Sequence, residues 1–461
     1  MNIVEQMRLF MEPESIAFIG VPRDTGEGSL NVVENLVNYG FSGKIYPVNP
    51  NAKEILGIRA YPSIKDVPGK IDLAVISTPR SSVLGAVNEC IEKKAKAIVI
   101  VAGGFADAGE EGKALQAQIV RIAREGGARI LGPNSLGVAN AFYNLSTAFL
   151  PLAIEKIPAA MICQTGMLFS GTPRFVLTGK AIDLANCSDI DFADGLEYFE
   201  DDPDVKLIAL YIEGIQNGPR FVEVASRVAR KKPILALKAG RSQLGAKAAQ
   251  SHTGSLVGRD EVYDTVFKQC GIIRVSDMDE LEDLSKAFLN LPLMKGRRIG
   301  IATISYAAGT LAVDACEDWN LEMAELSSET VARIKQLYPA WLSVRNPVDM
   351  GPASTTAESI KSTAKTFLEA LLSDEQVDGV VFIVGALPQQ KAFLCADIVA
   401  EVAETFKDKP IVSWLIQPDV NRELATEYDN TGKTVVYPTG ERAVRSLARL
   451  AERSEFLGRA R

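Results

Sequence analysis

His252 is the single histidine of a 461-residue chain, and it stands in AAQSHTGSLVG (248–258) beside Ser251, Thr253, Gly254 and Ser255. Small, hydroxylated neighbours leave an imidazole accessible, and successive backbone N–H groups in such a stretch can hold an anion. The run GRSQLGAKAAQSHTG (240–254) is too polar and too small in its side chains for a core element, so a mobile loop is expected. No second histidine exists to share a metal ion, so no metal site is expected. Beside an ordinary structural role, the ring is left as nucleophile or general base. Either role needs one ring nitrogen unprotonated, and a carboxylate accepting the other N–H fixes that tautomer. Glu213 is the candidate carboxylate, because it ends the apolar run LYIEG (210–214) and strand ends open onto the ligand edge of an α/β sheet. An oxyanion cradle is expected at Ile162-Cys163-Gln164-Thr165-Gly166, where a strand end, a small turn and a helix start leave N–H groups free.

The elements that must position these groups are short apolar strands alternating with helical stretches. SIAFIG (15–20), KIYPVN (44–49), DLAVIST (72–78), AIVIVAGG (97–104) and ARILGP (128–133) are continuous apolar runs, separated by segments such as SLNVVENLVNYG (29–40) and GKALQAQIVRIAREGG (112–127). Strands apolar on both faces, with helices between them, predict a parallel, doubly wound sheet. A second unit opens at AAMICQTG (159–166) and continues through VKLIALYIEG (205–214) and KPILALKAGRS (232–242). A third opens at RRIGIATIS (297–305) and continues through VDGVVFIVGALPQ (377–389) and KPIVSWLIQPD (409–419). The last two read as a weak repeat, with NLPLMKG (290–296) as the linker.

Composition narrows the function. The 50 Lys and Arg against 58 Asp and Glu give a net charge of −8, which argues against nucleic acid or an anionic membrane as the main partner. The six cysteines carry no CxxC pair, which suits a reducing cytosol rather than a zinc site or a disulfide framework. The opening MNIVEQMRLFMEPES lacks the pattern of a signal peptide, and no apolar run reaches bilayer-spanning length. A cytoplasmic location is the expectation.

In the first unit, AFIGVPRDTGEGS (17–29) has strand, glycine turn and helix but no GxGxxG. The tip of the second strand, Tyr46-Pro47-Val48-Asn49-Pro50-Asn51, lacks the carboxylate that holds ribose hydroxyls in dehydrogenases. A nicotinamide cofactor is therefore disfavoured. A phosphate-rich ligand laid across the strand ends fits better, with Arg23 and Lys53 available to pair with it, and Ser77-Thr78-Pro79, Gly103-Gly104-Phe105 and Asn134 on the same edge.

GKIYPVNPNAKEILGIRAYPSI (43–64), VAGGFADAGEEG (101–112), GPNSLG (132–137), LEYFEDDPDVKLIALYIEG (196–214), KPILALKAGRS (232–242), SHTGSLVGRDEVYD (251–264) and SVRNPVDM (343–350) occur in this order. Together they resemble the NDP-forming acyl-CoA synthetases, kin of succinyl-CoA synthetase, in the arrangement of the ADP-forming acetyl-CoA synthetase α subunit. The resemblance covers essentially the whole chain. It implies a Rossmann-like CoA-binding domain over 1–142, a flavodoxin-like ligase domain over 143–292 carrying the phosphohistidine loop, and a second flavodoxin-like domain over 293–461. It implies that His252 is transiently phosphorylated and Glu213 orients it, with Gln164, Thr165, Gly166, Gly254 and Ser255 around the phosphate. CoA would lie against Gly20, Val21, Pro22, Arg23, Val48, Asn49, Pro50, Lys53, Ser77, Thr78, Pro79, Gly103, Gly104, Phe105 and Asn134. The small carboxylic acid and its acyl-CoA are the substrates. ADP or ATP with Mg2+ would sit on an ATP-grasp β subunit, separate or fused, because no such domain is recognisable in these 461 residues; a homo- or hetero-oligomer follows.

The chain departs from that pattern in four places. Cys163 and Thr165 replace the two serines of the phosphate turn, Ser135 a frequent cysteine, Cys187 a common lysine, and ATISYAAG (302–309) a glycine-rich turn. The competing readings are a non-catalytic CoA-binding or regulatory protein of the same fold and, from the first unit alone, an NAD-linked dehydrogenase.

Overall fold

In the computed structural model, the described residues are 1–26, 28–169, 171–172, 175–176, 178–245, 247, 260–354, 357–385, 395–416, 426–428 and 430–459. They divide into two compact units, Met1–Glu282 and Asp283–Arg461.

The first unit begins with β1 (Ser15–Ile19), β2 (Lys44–Val48), a small hairpin of β3 (Glu54–Ile55) and β4 (Ile58–Arg59), then β5 (Leu73–Ile76), β6 (Ala97–Ile100) and β7 (Arg129–Leu131). Its sheet is parallel in the order β2-β1-β5-β6-β7. Every residue of β1, β5 and β6 is buried, as expected where helices cover both faces. The helices Arg80–Glu92 and Glu110–Glu125 provide part of that cover, the latter burying Ile119 and Ala123.

The chain then forms β8 (Gly137–Asn140), β9 (Leu145–Ser146), β10 (Ala159–Cys163), a short pair β11 (Gly171–Thr172) and β12 (Phe175–Val176), β13 (Lys180–Asp183), β14 (Leu207–Ile212), β15 (Ile234–Lys238) and β16 (Ile273–Val275). The second sheet runs β16-β15-β14-β10-β13-β8-β9. Its β16-to-β13 part is parallel, whereas β8 and β9 close one edge antiparallel. The doubly wound pattern was legible in the apolar runs; this antiparallel edge was not, because GVAN and LS are too short to show a period.

The second unit holds β17 (Arg298–Thr303), β18 (Glu322–Met323), β19 (Val348–Asp349), β20 (Gly379–Gly385), β21 (Ile411–Ile416) and β22 (Val435–Tyr437). Its parallel sheet runs β18-β17-β20-β21-β22, with β19 paired to the end of β17. The ATISYAAG turn is built from hydroxyls: Thr303 donates to the Ser305 carbonyl at 2.7 Å and accepts the Ser305 N–H at 3.0 Å. Ser305 in turn caps the helix Tyr306–Asp318.

Each parallel core has the doubly wound order in which a central strand is flanked by its two successors in opposite directions. Such an order creates a crevice where the chain switches sides, between the first strand and the third. In the first sheet this lies between β1 and β5; in the second it lies between β10 and β14.

Candidate functional site

The switch point of the second sheet brings together residues far apart in sequence. Cys163 is paired in register with Tyr211, so Gln164 and Glu213 leave the sheet side by side. The Gln164 side-chain carbonyl accepts the backbone N–H groups of Glu213 at 2.8 Å and Gly214 at 3.1 Å. Gln164 is 3% and Glu213 5% exposed, so the glutamate springs from a turn whose backbone is fixed. Thr165 caps the short helix Gly166–Leu168, its hydroxyl accepting the Met167 N–H. A Cβ on Gly166 would stand 2.7 Å from Leu136 Cδ1, which presses the turn against the GPNSLG loop. His252, Gly254 and Ser255 lie outside the described residues.

On the other side of β10, Asp183 ends β13 opposite Cys163. Its carboxylate accepts the N–H of Leu136 at 2.8 Å and of Ala185 at 3.2 Å, and its backbone carbonyl accepts the Ser135 hydroxyl. Ser135 Oγ also accepts the Gly137 N–H at 2.8 Å. The serine that stands in place of a thiol thus fastens the GPNSLG loop to the second sheet. Cys187, the other departure, is buried and directs its thiol at the Ile190 carbonyl, 3.6 Å away.

Burial pushes the Asp183 carboxyl up to about 7, and the neighbouring Glu213 adds to the rise against the two N–H donors. An unfolded aspartate titrates near 4. Between about pH 4 and 7 the folded chain therefore holds a proton that the unfolded chain has released. Stability must fall as pH rises through that window, by about 1.4 kcal/mol per pH unit for one group. Asp183→Asn is expected to flatten this slope, measured as denaturant midpoints at several pH values; an unchanged slope would place the titration elsewhere.

The switch point of the first sheet gathers the residues expected to hold CoA. Gly20, at φ +87°, donates to the Val48 carbonyl at 3.0 Å. A Cβ there would stand 2.7 Å from Thr78 Cγ2 and 3.1 Å from the Ser77 backbone. Only glycine lets the turn after β1 approach the turn after β5 so closely. Asn49, at the tip of β2, donates from its side chain to the Val21 carbonyl at 2.8 Å. Arg23, Pro22, Pro50, Lys53 and Pro79 are exposed around this crevice.

Further along the edge, Gly103 packs beside Asn134, which has φ +64°. Phe105 is different. Its ring is fully buried, and its N–H, like that of Gly104, is held by the Asp107 carboxylate at 2.8–2.9 Å. The phenyl ring packs in the core of the first sheet.

A cleft of about 1000 Å³ lies between the helix Glu110–Glu125 and the second switch point, lined by Gln116, Gln164, Asn186, Gly214 and Ile215. The Asn186 amide donates to Asp107 at 3.0 Å and Gln116 at 3.1 Å. Asn186, Asp107, Asp183 and Lys238 were not singled out from the sequence. Asp183 and Lys238 carry the same signal that marked Glu213: a charged residue closing an apolar strand, KAID and ILALK.

Two doubly wound sheets are thus joined through one loop, with a carboxylate at the switch point of the second. Residues 14–141 match the CoA binding domain family, and residues 158–288 match the succinyl-CoA ligase like flavodoxin domain. The chain is 38% identical to the acetate–CoA ligase (ADP-forming) II subunit alpha of Pyrococcus furiosus, covering 94% of each chain. It is also 38% identical to acetate–CoA ligase (ADP-forming) II of Archaeoglobus fulgidus, over 83% of this chain and 58% of that longer protein. Among solved structures, it resembles acetyl-coenzyme A synthetase 1 of Ca. Korarchaeum cryptofilum, in complex with phosphate and ADP. The TM-score is 0.88 at 30% identity, over 99% of each chain. The chain belongs to the ADP-forming acyl-CoA synthetase family. No helix among the described residues is long and apolar enough to cross a membrane.

Proposed function

We propose that this chain is the α-type part of an ADP-forming acyl-CoA synthetase, interconverting acyl-CoA, phosphate and ADP with carboxylic acid, CoA and ATP. The observation that carries the reading is the Gln164–Glu213 turn at the second switch point, fastened through Asp183 and Ser135 to the GPNSLG loop of the CoA edge. In the first step phosphate oxygen attacks the thioester carbon, the C–S bond breaks, and CoA leaves as the thiol. In the second, a neutral His252 nitrogen attacks phosphorus and the acid departs as carboxylate. Glu213, accepting the other ring N–H, holds the attacking tautomer and offsets the positive charge that develops on the ring. In the third, the phosphoryl group passes to ADP with Mg2+, and His252 returns to neutral.

The third step requires a nucleotide cradle, which we assign to an ATP-grasp partner. We read the chain as three domains, 1–142, 143–292 and 293–461, with the strand 137–140 lent by the first to the sheet of the second, in a cytoplasmic hetero-oligomer. The small acid is bound as its acyl-CoA, with the pantetheine directed from the β1–β5 crevice toward Gln164.

Purified chain given acyl-CoA and labelled phosphate is expected to form an acid-labile, base-stable phosphoprotein. ADP and Mg2+ should discharge it to labelled ATP only when the ATP-grasp partner is added. Labelled ATP from this chain alone would overturn the division of labour; CoA binding without any label, even with the partner present, would favour the regulatory reading.

A further inference from the structure

Lys238 closes β15 in register with Ile212, one residue before Glu213. It is 2% exposed. Its ammonium donates to the neighbouring Ala239 carbonyl and stands 4.7 Å from the centre of the Tyr263 ring. Tyr263 in turn accepts the Ile215 N–H at 3.3 Å with its hydroxyl, so the ring beneath the ammonium also holds the turn that follows Glu213. Among the described residues, no carboxylate lies within ion-pair distance of this ammonium. Asp260, the acid whose charge acts most strongly on it, is engaged by Arg274 at 2.6 Å. A buried lysine without a paired carboxylate is costly and calls for a use.

The edge itself supplies one. Adjacent strands stand about 5 Å apart, so the Gln164 turn, Glu213 and Lys238 span roughly 10 Å of one sheet edge. An anion drawn to the Gln164–Thr165–Gly166 turn meets the carboxylate of Glu213, with Asp183 beyond it. A carboxylate at an anion site repels the ligand unless a cation offsets it, and a buried charge acts with little solvent screening.

We propose that Lys238 is the electrostatic counterweight of Glu213, a positioning residue whose buried ammonium makes the site tolerate phosphate beside a carboxylate. This rests on the reading of the site as a phosphoryl-transfer centre and extends it to the class of ligand charge that the edge is built to hold. Burial lowers the proton affinity of Lys238, with Arg274 acting in the same sense and Asp260 and Glu213 against it. An approaching phosphate would reinforce the charged form.

The test uses Lys238→Met and Lys238→Arg in the full chain, assayed with its ATP-grasp partner. Lys238→Met is expected to raise the KM for phosphate at least about tenfold, with the KM for acyl-CoA changed less than about twofold, the CoA crevice lying on the other sheet. Lys238→Arg should recover most of the phosphate affinity, because the charge is retained. A second reading needs no turnover: millimolar inorganic phosphate should raise the thermal midpoint of the wild-type chain but not that of Lys238→Met. Without phosphate the methionine variant should still unfold in one cooperative transition, which separates loss of the anion site from loss of the fold. A lysine that merely props the fold would instead lower the midpoint and spare the phosphate KM. Normal phosphate dependence in Lys238→Met, an arginine variant as impaired as the methionine one, or no phosphate effect on wild-type melting would overturn the proposal. If phosphate protects the wild type through Lys238 but no acyl-CoA-dependent phosphoprotein forms with the partner present, the ligase reading fails and the anion site stands.

Discussion

Replacing His252 with alanine is expected to abolish incorporation of labelled phosphate from acyl-CoA, and with it all ATP formation in the presence of the ATP-grasp partner. The expectation is total loss rather than a reduced rate because the chain has no second histidine to accept the phosphoryl group. Serine and threonine neighbours, Ser251, Thr253 and Ser255, are far weaker nucleophiles at neutral pH without a base of their own. CoA affinity should be nearly unchanged, since the residues assigned to CoA lie along the strand ends of the first sheet. Isothermal titration with CoA, run beside the labelling assay, separates loss of the acceptor from loss of the fold. Net ATP synthesis by the alanine variant would remove His252 from the pathway.

Glu213→Gln is expected to lower turnover roughly a hundredfold, on the scale of about 3 kcal/mol that one preorganised electrostatic contact contributes to a transition state. The amide keeps the size of the carboxylate and the backbone links to Gln164 at 2.8 and 3.1 Å, so the turn should survive. It loses the charge that accompanies the developing imidazolium, and it can present its NH2 to the ring in the wrong sense. The KM for acyl-CoA should move little, so the effect should fall on kcat. A wild-type rate would show that Glu213 supports the turn and does no chemistry.

These assignments were legible in the sequence to different depths. Glu213 and the Gln164–Thr165–Gly166 turn were found because each closes an uninterrupted apolar run, a pattern that survives translation into a buried parallel strand. Their adjacency was not legible. It depends on β10 and β14 being neighbours, with β13 on the far side, and strand order leaves no local trace. Asp183 and Lys238 carried the same mark as Glu213 and became meaningful only when the sheet placed them on either side of it. The burial of the Phe105 ring and the hold of Asp107 on the loop's N–H groups were likewise not legible, because both depend on what packs against the glycine loop.

The antiparallel edge made by β8 and β9 bears on how such proteins can be cut and recombined. In sequence, residues 137–140 belong to the tail of the segment matched to the CoA-binding family, yet their hydrogen bonds go to β13 of the neighbouring sheet. A graft that exchanges the CoA module at about residue 141 would take this strand away with it. The remaining sheet would then present β13 as a bare edge, a template for joining other chains. Interchangeable modules in this architecture therefore have to be severed before the GPNSLG loop, so that the strand travels with the sheet it completes rather than with the fold its sequence suggests.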